Sequence, residues 1–378
     1  MALALKLEKP GEIKVTDFPY TRPGENAVIL KVEMCGICGT DKHSFLGENI
    51  QYGNKPIIYP IIPGHEIVGK IFEIGPRAQP LFDYDGQILK DGDRVVILPN
   101  IGCGKCYYCK HGFPPYFCPN TVDYGNQLNC IEPPYLFGGW AEFMYLLPGT
   151  TFFKVPEQLP LELAVLTEPF AVAGSSLDKA KEFSNLSTEG FRFGDTILIQ
   201  GAGPIGIAHL IKAQMLGAGN TIILDKSDFR LALAKELGAD YAFNINSLKI
   251  NELLSNIRDI TGGRGADIVI ECTGYPEAII EGLQFLRKGG MYLIVGTFVS
   301  KGSISIDPHS EILAKNARII GIGGDDPNSY GTSIKLMQKW NKFLPINKIV
   351  THRFKLKDVH LAIKQAFDEN SCKVVFET

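Results

Sequence analysis

The sequence has no apolar stretch that approaches the roughly 20 residues of a membrane-spanning helix. It has no basic run interleaved with aromatic residues, and its net charge of −3 gives no general reason to expect nucleic acid or an anionic membrane as a partner. A signal peptide is not expected, because the N-terminal segment reaches a charge as early as Lys6. We therefore predict a cytoplasmic protein that binds neither nucleic acid nor a membrane.

Disulfide bonds are also unexpected. The chain has nine cysteines, an odd number that cannot pair completely, and disulfides are rare in the cytoplasm. Four of them follow the spacing C-x2-C-x2-C-x8-C: Cys103, Cys106, Cys109 and Cys118. Four thiolates complete a tetrahedral zinc site and leave no position for a substrate, so this spacing predicts a structural zinc. An iron–sulfur cluster is the alternative, since four thiolates suit it too.

The length of 378 residues exceeds the usual size of a single hydrophobic core and predicts two domains. Up to about residue 171 the chain is rich in Gly, Pro and short β-type runs, which favour an irregular β-barrel with long loops. From residue 172 to 321, continuous apolar strands alternate with amphipathic helices, as expected for a parallel sheet covered on both faces. Residues 322–378 return to a mixed pattern and are assigned to the first domain.

A glycine-rich turn follows the first predicted strand of the second domain and opens a helix. Its G-x-G-x-x-G pattern comprises Gly201, Ala202, Gly203, Pro204, Ile205 and Gly206. The first glycine permits a tight turn, the second lets the backbone approach a pyrophosphate, and the third allows close helix–strand packing. The helix N-terminus adds unpaired N–H groups that attract phosphate. A dinucleotide site is therefore predicted, with a simple packing turn as the alternative.

The identity of the dinucleotide depends on Asp225, which ends the next predicted strand. Its carboxylate would accept hydrogen bonds from the ribose hydroxyls and repel a 2′-phosphate, so NAD is favoured over NADP. Arg230, with Lys226, would offset part of that repulsion. Two later strands end near Thr273 and Val295. Because ligands bind at the carboxyl ends of parallel strands, backbone groups there are expected to contact the cofactor. The alternative is that both are ordinary strand ends.

Three short segments hold further side chains that can bind metal or move protons: Cys35–His43, Pro63–Glu66 and Leu166–Pro169. Taken singly, Thr40 would be an ordinary turn or helix cap and His43 a surface histidine. With the four-cysteine spacing and the glycine-rich turn, in this order, the segments make the sequence resemble the zinc-containing medium-chain dehydrogenase/reductase family. The resemblance is specifically to its alcohol, sorbitol and threonine dehydrogenases, and it covers nearly the whole chain.

The resemblance implies an α/β protein in which a Rossmann doubly wound parallel sheet is joined to a GroES-like irregular β-barrel domain. The GroES-like catalytic domain would comprise residues 1–171 and 322–378, with a structural-zinc lobe at about 100–134. The Rossmann domain would comprise residues 172–321. Because relatives in this family are dimers or tetramers, a homodimer or homotetramer is expected.

The resemblance also implies a second, catalytic zinc bound by Cys38 and His65. Glu168 stands where the simple alcohol dehydrogenases of the family have a cysteine, and a carboxylate there is similar to the sorbitol and threonine branches. Glu66 is a second candidate carboxylate, either as a ligand or as an exchangeable catalytic partner. Cys35 matches no ligand of the family and is expected to be a small buried side chain.

The implied mechanism begins with an alcohol oxygen bound to this zinc, which lowers the pKa of the hydroxyl before hydride leaves for NAD. Thr40 accepts the proton and passes it through the nicotinamide ribose to His43, whose ordinary pKa lies close to physiological pH. Asp41 is expected to orient His65 and fix its tautomer.

The sequence thus predicts an enzyme with two zinc ions per chain that transfers hydride from a small-molecule secondary alcohol or polyol to NAD. The alternatives are a zinc-independent NAD(P)H reductase of the same superfamily and a non-catalytic zinc-binding interaction module. A hypothesis for substrate binding concerns Asp325 and Asp326, whose carboxylates would bind hydroxyls. Two segments match none of the dehydrogenases that the sequence resembles: the insertion Pro76–Lys90 and the aromatic stretch Phe113–Phe117.

Overall fold

The structure is a computed structural model that describes residues 1–48, 56–182 and 190–378. The chain divides into two compact units. Unit 1 comprises Met1–Ala171, Asp325–Trp340 and Val350–Thr378, and unit 2 comprises Val172–Gly324 and Asn341–Ile349. The C-terminal segment assigned from sequence as 322–378 is therefore interrupted. Its residues 322–324 and 341–349 belong to unit 2, and in the second of these stretches Ile346 and Ile349 are buried and Lys348 forms an ion pair with Glu236.

The elements below are numbered in chain order. The strands are β1 (Ala2–Lys9), β2 (Glu12–Phe18), β3 (Val28–Gly36), β4 (Ile67–Ile74), β5 (Leu81–Phe82), β6 (Ile88–Leu89), β7 (Arg94–Ile97), β8 (Asn100–Ile101), β9 (Val122–Asp123), β10 (Phe143–Leu146), β11 (Phe152–Lys154), β12 (Thr196–Gln200), β13 (Asn220–Asp225), β14 (Tyr241–Asn244), β15 (Ala266–Glu271), β16 (Leu286–Ile294), β17 (Arg318–Gly321), β18 (Val350–Phe354) and β19 (Lys373–Glu377). The helices are α1 (Gly39–Leu46), α2 (Tyr107–Lys110), α3 (Leu161–Ala164), α4 (Thr167–Glu182), α5 (Pro204–Met215), α6 (Asp228–Glu236), α7 (Ile250–Ile260), α8 (Pro276–Phe285), α9 (Pro327–Trp340) and α10 (Val359–Phe367).

The main sheet of unit 1 has the strand order β11-β7-β4-β3-β19-β18, with β10 also paired to β3. Apart from the parallel pair β18–β19, neighbouring strands are antiparallel. Cys35 near the end of β3 is in register with Ile67 at the start of β4 and with Phe376 in β19. This register brings three distant segments to one end of the sheet: the chain after Gly36, the chain before Ile67, and the start of β19 at Lys373.

Unit 2 contains a parallel sheet in the order β14-β13-β12-β15-β16-β17. Counted from β12, this is the order 3-2-1-4-5-6 of a doubly wound dinucleotide-binding sheet, and the predicted parallel sheet is confirmed. In β12, Ile197, Leu198 and Ile199 are completely buried, as a strand covered on both faces requires. The edge strand β17 is short, comprising only Arg318–Gly321, and Pro308–Leu313 before it forms a π-helical turn.

The insertion at residues 76–90 folds as the short antiparallel pair β5–β6. Tyr84, between the two strands, donates a hydrogen bond from its hydroxyl to Asn328 Oδ1 at 2.9 Å. Its ring also packs on Phe153 with the ring centroids 5.4 Å apart. The insertion is therefore attached to the first turn of α9 within unit 1. Among the described residues, no helix has the length and apolar character that crossing a membrane requires.

Candidate active site

The segments that carry Cys38 and His65 are joined by one buried carboxylate. Asp41, which is 2% exposed, accepts a hydrogen bond from the backbone N–H of Cys38 at 2.8 Å and another from that of Gly64 at 3.1 Å. Its distance to His65 Nδ1 is 3.8 Å, too long for a hydrogen bond. Asp41 thus positions His65 through the backbone of Gly64, whereas sequence analysis expected direct contact with the ring. Asn126 Nδ2 lies 3.5 Å from the same Nδ1 and was not found from the sequence.

His65 interacts electrostatically with both Cys38 and Glu168. Burial opposes the charged form of His65, but the negative charges of Cys38 and Asp41 outweigh it and raise the pKa of the imidazole. Burial, followed by the negative charges of Glu66 and Asp325, raises the pKa of Glu168 to about 8. The imidazole of His65 thus links the thiol of Cys38 electrostatically to the carboxylate of Glu168.

The donor set fits a zinc ion. Glu168 Oε2 is inaccessible to solvent and has no hydrogen-bond partner among the described residues. A buried carboxylate oxygen without a partner costs free energy unless a cation or donor satisfies it. Thiolate, imidazole and carboxylate are the ligands that zinc prefers in catalytic sites. The three side chains are nevertheless looser than the cysteine cluster, because within the described ranges only Cys103, Cys106, Cys109 and Cys118 have ligand atoms all within 4.8 Å of one another.

Glu66 is engaged by a residue that sequence analysis missed. Lys373, the first residue of β19, donates hydrogen bonds from Nζ to both carboxylate oxygens of Glu66 at 2.5 Å. The two side chains are 2% and 0% exposed. Burial lowers the pKa of Lys373, but the charge of Glu66 more than compensates and the net shift is upward. The Glu66–Lys373 pair also explains why position 36 is a glycine, because a Cβ at this position would stand 1.9 Å from Glu66 Oε2.

Thr40 and His43 lie three positions apart on α1, which places them on one face of the helix. Thr40 is 7% exposed, and its Oγ1 lies 3.9 Å from Cys38 Sγ. The His43 side chain is 21% exposed, and its Nδ1 lies 2.5 Å from Glu48 Oε2. Exposure thus increases from the buried Thr40 through His43 to Glu48, whose side chain is 34% exposed.

The four-cysteine cluster gathers around the short helix α2. Cys106 Sγ lies 3.5 Å from Cys109 Sγ and 3.7 Å from Cys118 Sγ. Backbone N–H groups of Lys105 and Cys106 lower the pKa of Cys103 to about 6, which favours the thiolate that metals bind. All nine cysteines of the chain are free thiols. Four sulfur atoms at these separations suit a tetrahedral ion with no open position.

In unit 2, the glycine-rich turn has the geometry that the pattern predicts. Gly201 has a φ of 99°, Gly203 is the N-cap of α5, and Ile205 lies in its first turn. A Cβ on Gly206 would stand 1.8 Å from the carbonyl oxygen of Gly201, so only glycine allows this close approach. The turn therefore leaves the N-terminus of α5 open at the carboxyl end of β12.

Asp225, at the end of β13, faces this turn. Its Oδ2 accepts a hydrogen bond from the N–H of Ala202 at 2.6 Å, and its Oδ1 accepts one from Ser227 at 2.8 Å. The residue is 8% exposed, so a negative charge lies directly beside the glycine-rich turn. Arg230 lies in the first turn of α6, where its N–H donates to Ser227 Oγ at 3.2 Å.

The two strand ends near Thr273 and Val295 are connected by Glu271, which is completely buried. Its Oε1 accepts hydrogen bonds from the N–H and hydroxyl of Thr273 and from the N–H of Gly274, at 2.5, 2.8 and 2.7 Å. Its Oε2 accepts two more, from Gly296 N–H and the Thr297 hydroxyl, both at 3.0 Å. The carbonyl oxygen of Glu271 also accepts the N–H of Val295 at 3.0 Å. One carboxylate thus sets the position of both loops.

We expect Glu271→Gln to weaken NADH binding roughly tenfold, because an amide cannot accept on both sides and at least two of these hydrogen bonds would be lost. Titration of NADH fluorescence measures the effect. Glu277→Gln is the control, since Glu277 is exposed in the first turn of α8. A folded Glu271→Gln variant with unchanged NADH affinity would show that the two loops do not contact the cofactor.

Comparison with known proteins identifies both parts of this arrangement. Residues 24–157 match the alcohol dehydrogenase GroES-like domain, and residues 204–339 match the zinc-binding dehydrogenase family. An L-threonine 3-dehydrogenase of Pyrococcus horikoshii is 33% identical over 357 residues, which cover 93% of this chain and 91% of that protein. These matches confirm the GroES-like and Rossmann folds predicted from the sequence.

Solved structures agree with this result. An alcohol dehydrogenase of Thermotoga maritima superposes with a TM-score of 0.90 at 32% identity, covering 100% of this chain and 99% of that one. A zinc-binding dehydrogenase of Sinorhizobium meliloti, solved with bound NADP, has a TM-score of 0.84 at 26% identity and the same coverage. The predicted enzyme class, a dehydrogenase of the alcohol or polyol type, is confirmed. With motifs, fold and relatives in agreement over its whole length, the chain belongs to the zinc-containing medium-chain dehydrogenase family.

Proposed function

We propose that the chain oxidises a secondary alcohol or polyol with NAD, and that Cys38, His65 and Glu168 hold the catalytic zinc. The observation that carries this assignment is the buried, unpartnered Glu168 Oε2 beside the interacting pair Cys38 and His65. When bound, zinc supplies a Lewis acid that lowers the pKa of the substrate hydroxyl, and NAD supplies the hydride acceptor. In this proposal Glu66 is not the resting zinc ligand, because both of its oxygens already bind Lys373. It is the carboxylate that would exchange with Glu168.

The side chains of α1 remove the substrate proton in this proposal. Thr40 Oγ1 accepts the proton and passes it on toward His43. The contact between His43 Nδ1 and Glu48 leaves Nε2 of His43 as the atom that receives the proton. Glu48 stabilises the charged ring while the proton moves to solvent. Asp41 takes no part in the transfer and keeps the Cys38 and Gly64 segments in place.

The remaining cofactor assignments follow from the two other sites. Cys103, Cys106, Cys109 and Cys118 bind a second, structural zinc, for which the close approach of the four sulfur atoms is the support. The dinucleotide binds at Gly201–Gly206, with NAD preferred over NADP because the Asp225 carboxylate would repel a 2′-phosphate. The homo-oligomeric state and the cytoplasmic location expected from the sequence also stand as proposals, the latter supported by the nine free thiols.

The test is a screen of reduction of NAD and NADP by simple secondary alcohols, diols, polyols, inositols and amino alcohols including L-threonine. It is combined with metal analysis, and we expect about two zinc ions per chain, activity with NAD, and its loss on chelation. Full activity of a verified metal-free enzyme would instead support a zinc-independent reductase. Failure to bind NADH would support a non-catalytic zinc module.

Substrate selectivity depends on Asp325 in this proposal. Asp325 is 4% exposed, accepts a hydrogen bond from the buried Tyr330 hydroxyl, and interacts electrostatically with His65 and Glu168. A buried carboxylate this close to the metal-binding side chains can accept a hydrogen bond from a second hydroxyl or an ammonium group of the substrate. Asp326 has a different role, since its Oδ1 accepts hydrogen bonds from the N–H and side-chain amide of Asn328 at 2.8 Å.

We expect Asp325→Asn to lower kcat/KM about 10- to 100-fold for 2,3-butanediol or an amino alcohol, because a charged acceptor for the second group is lost. For 2-butanol, which has the same carbon skeleton and a single hydroxyl, kcat/KM should change less than about threefold. Asp326→Asn is the matched control and should leave both substrates unaffected. An equal loss for butanediol and 2-butanol would assign Asp325 a structural role.

A further inference from the structure

Unit 2 has a cavity that takes no part in the proposed reaction. Its volume is about 520 Å³, within the range of roughly 300–1,000 Å³ typical of small-molecule sites. The cavity is lined by the C-terminal half of α7, the loop at residues 263–265, the start of β16 and the segment from Glu311 to Lys315. All of these lie inside unit 2.

The cavity lies at the amino ends of the parallel strands, whereas the glycine-rich turn lies at their carboxyl ends. Gly265 and Leu286, which line it, lie at the amino ends of β15 and β16. The glycine-rich turn begins at Gly201, at the carboxyl end of the neighbouring strand β12. Because these strands are parallel, the two sites are separated by the length of β15, about 20 Å. A ligand in this cavity therefore does not compete with NAD for the same groups.

The floor of the cavity is apolar. Ile257, Phe285 and Leu286 are 1–3% exposed, and Leu254 is partly buried beside them. These side chains also belong to or pack on the hydrophobic core of unit 2, so they are held in place by the fold. Leu254 and the accessible edges of the three buried side chains offer a contact surface for the apolar part of a ligand.

The rim of the cavity is strongly basic. Four cationic residues line it, Arg258, Arg264, Lys288 and Lys315, against the single carboxylate of Glu311. Glu311 is already occupied, because Lys315 Nζ lies 2.8 Å from its Oε2. The side chains of Arg258, Arg264 and Lys288 make no ion pair or hydrogen bond with any other residue in the ranges that the structure describes. Three positive charges above an apolar floor are therefore uncompensated.

We propose that this cavity binds a small organic phosphate, an anion with a phosphomonoester head and an apolar body. A phosphomonoester carries about −1.5 to −2 charges at neutral pH, which matches three free cations better than a monocarboxylate does. The arginine side chains present paired N–H donors that suit phosphate oxygens. The apolar body contacts Leu254 and the edges of Ile257, Phe285 and Leu286, which inorganic phosphate alone cannot use.

The experiment titrates p-nitrophenyl phosphate into the full-length, zinc-loaded protein saturated with NAD, and measures binding by calorimetry. Inorganic phosphate, p-nitrophenol and 4-nitrobenzoate are titrated in parallel, and each should bind at least about tenfold more weakly. The double variant Arg258→Ala/Arg264→Ala should bind p-nitrophenyl phosphate at least about tenfold more weakly than the unmodified chain.

Lys249→Gln is the control, because Lys249 caps the other end of α7, about 14 Å from Arg258 along the helix. The affinity of Lys249→Gln for p-nitrophenyl phosphate should stay within about twofold of that of the unmodified protein. The proposal is overturned if p-nitrophenyl phosphate does not bind, or if it binds the double variant as tightly as the unmodified chain. It is also overturned if inorganic phosphate binds equally well, since the apolar floor would then contribute nothing.

Discussion

Replacing Cys38 by alanine should lower kcat/KM roughly ten-thousandfold and reduce the zinc content from about two ions per chain to about one. Loss of a thiolate ligand removes the Lewis acid, and several kcal/mol of transition-state stabilisation correspond to this factor at about 1.4 kcal/mol per tenfold. NADH binding should persist, because the glycine-rich turn and Asp225 belong to unit 2. Steady-state kinetics, metal analysis and NADH titration on one preparation measure all three quantities.

Cys35→Ala is the matched control for this prediction. Cys35 is three positions away, completely buried, and its thiol donates only to the carbonyl oxygen of Gly36 at 3.6 Å. Its removal should leave both zinc ions bound and kcat/KM within about threefold, as expected for a buried thiol that contributes only packing. If Cys38→Ala keeps two zinc ions and full activity, the proposed ligand set is wrong. If Cys35→Ala loses the metal instead, then Cys35, and not Cys38, is the zinc ligand.

Lys373→Met should destabilise the chain by about 3–5 kcal/mol, because it leaves the carboxylate of Glu66 buried without a counter-charge. The double variant Glu66→Met/Lys373→Met should recover most of this loss, since replacing a whole buried ion pair by apolar side chains is often neutral. Urea unfolding gives the free energies. It should be followed with and without a chelator, because zinc can bind the freed carboxylate and offset part of the loss.

The control is an ion pair at the surface. Lys335 Nζ lies 3.6 Å from Asp85 Oδ2, with side chains 75% and 47% exposed. Lys335→Met should therefore cost less than about 1 kcal/mol. A Lys373→Met variant as stable as Lys335→Met would contradict the view that Glu66 is charged and depends on Lys373. A double variant no more stable than Lys373→Met would show that the lysine stem, and not the charge pair, provides the stability.

Much of the site could be predicted because its chemistry lies in short segments. The four cysteines occupy 16 consecutive positions, and their sulfur atoms do come within 4.8 Å of one another. Gly201 and Gly206 likewise adopt the close approach that their spacing requires. Thr40 and His43 share one face of α1 because three residues make nearly one helical turn. For such groups, local geometry brings the side chains together whatever the rest of the chain does.

The partners that act on these groups could not be predicted in the same way. Glu48 is near His43 in sequence but has no motif that marks it, and Glu271 has no motif that distinguishes it from other residues of its strand. The different roles proposed for Asp325 and Asp326 also depend on which of the two carboxylates is buried just before α9. None of these features has a periodicity or spacing that sequence patterns can detect.

By itself, the sequence determined the residue types of the four-cysteine cluster, the dinucleotide turn and the order of the two domains, because these depend on patterns among nearby residues. The proposed ligands Cys38, His65 and Glu168 are far apart in the chain and followed only from the resemblance to the family. Only the tertiary structure decided that Glu66 faces Lys373, which lies 307 positions away. That contact arises from the register of β3 with β4 and β19, and register is set by the packing of the whole sheet. The surroundings of the Glu66 carboxylate therefore depend on long-range strand pairing.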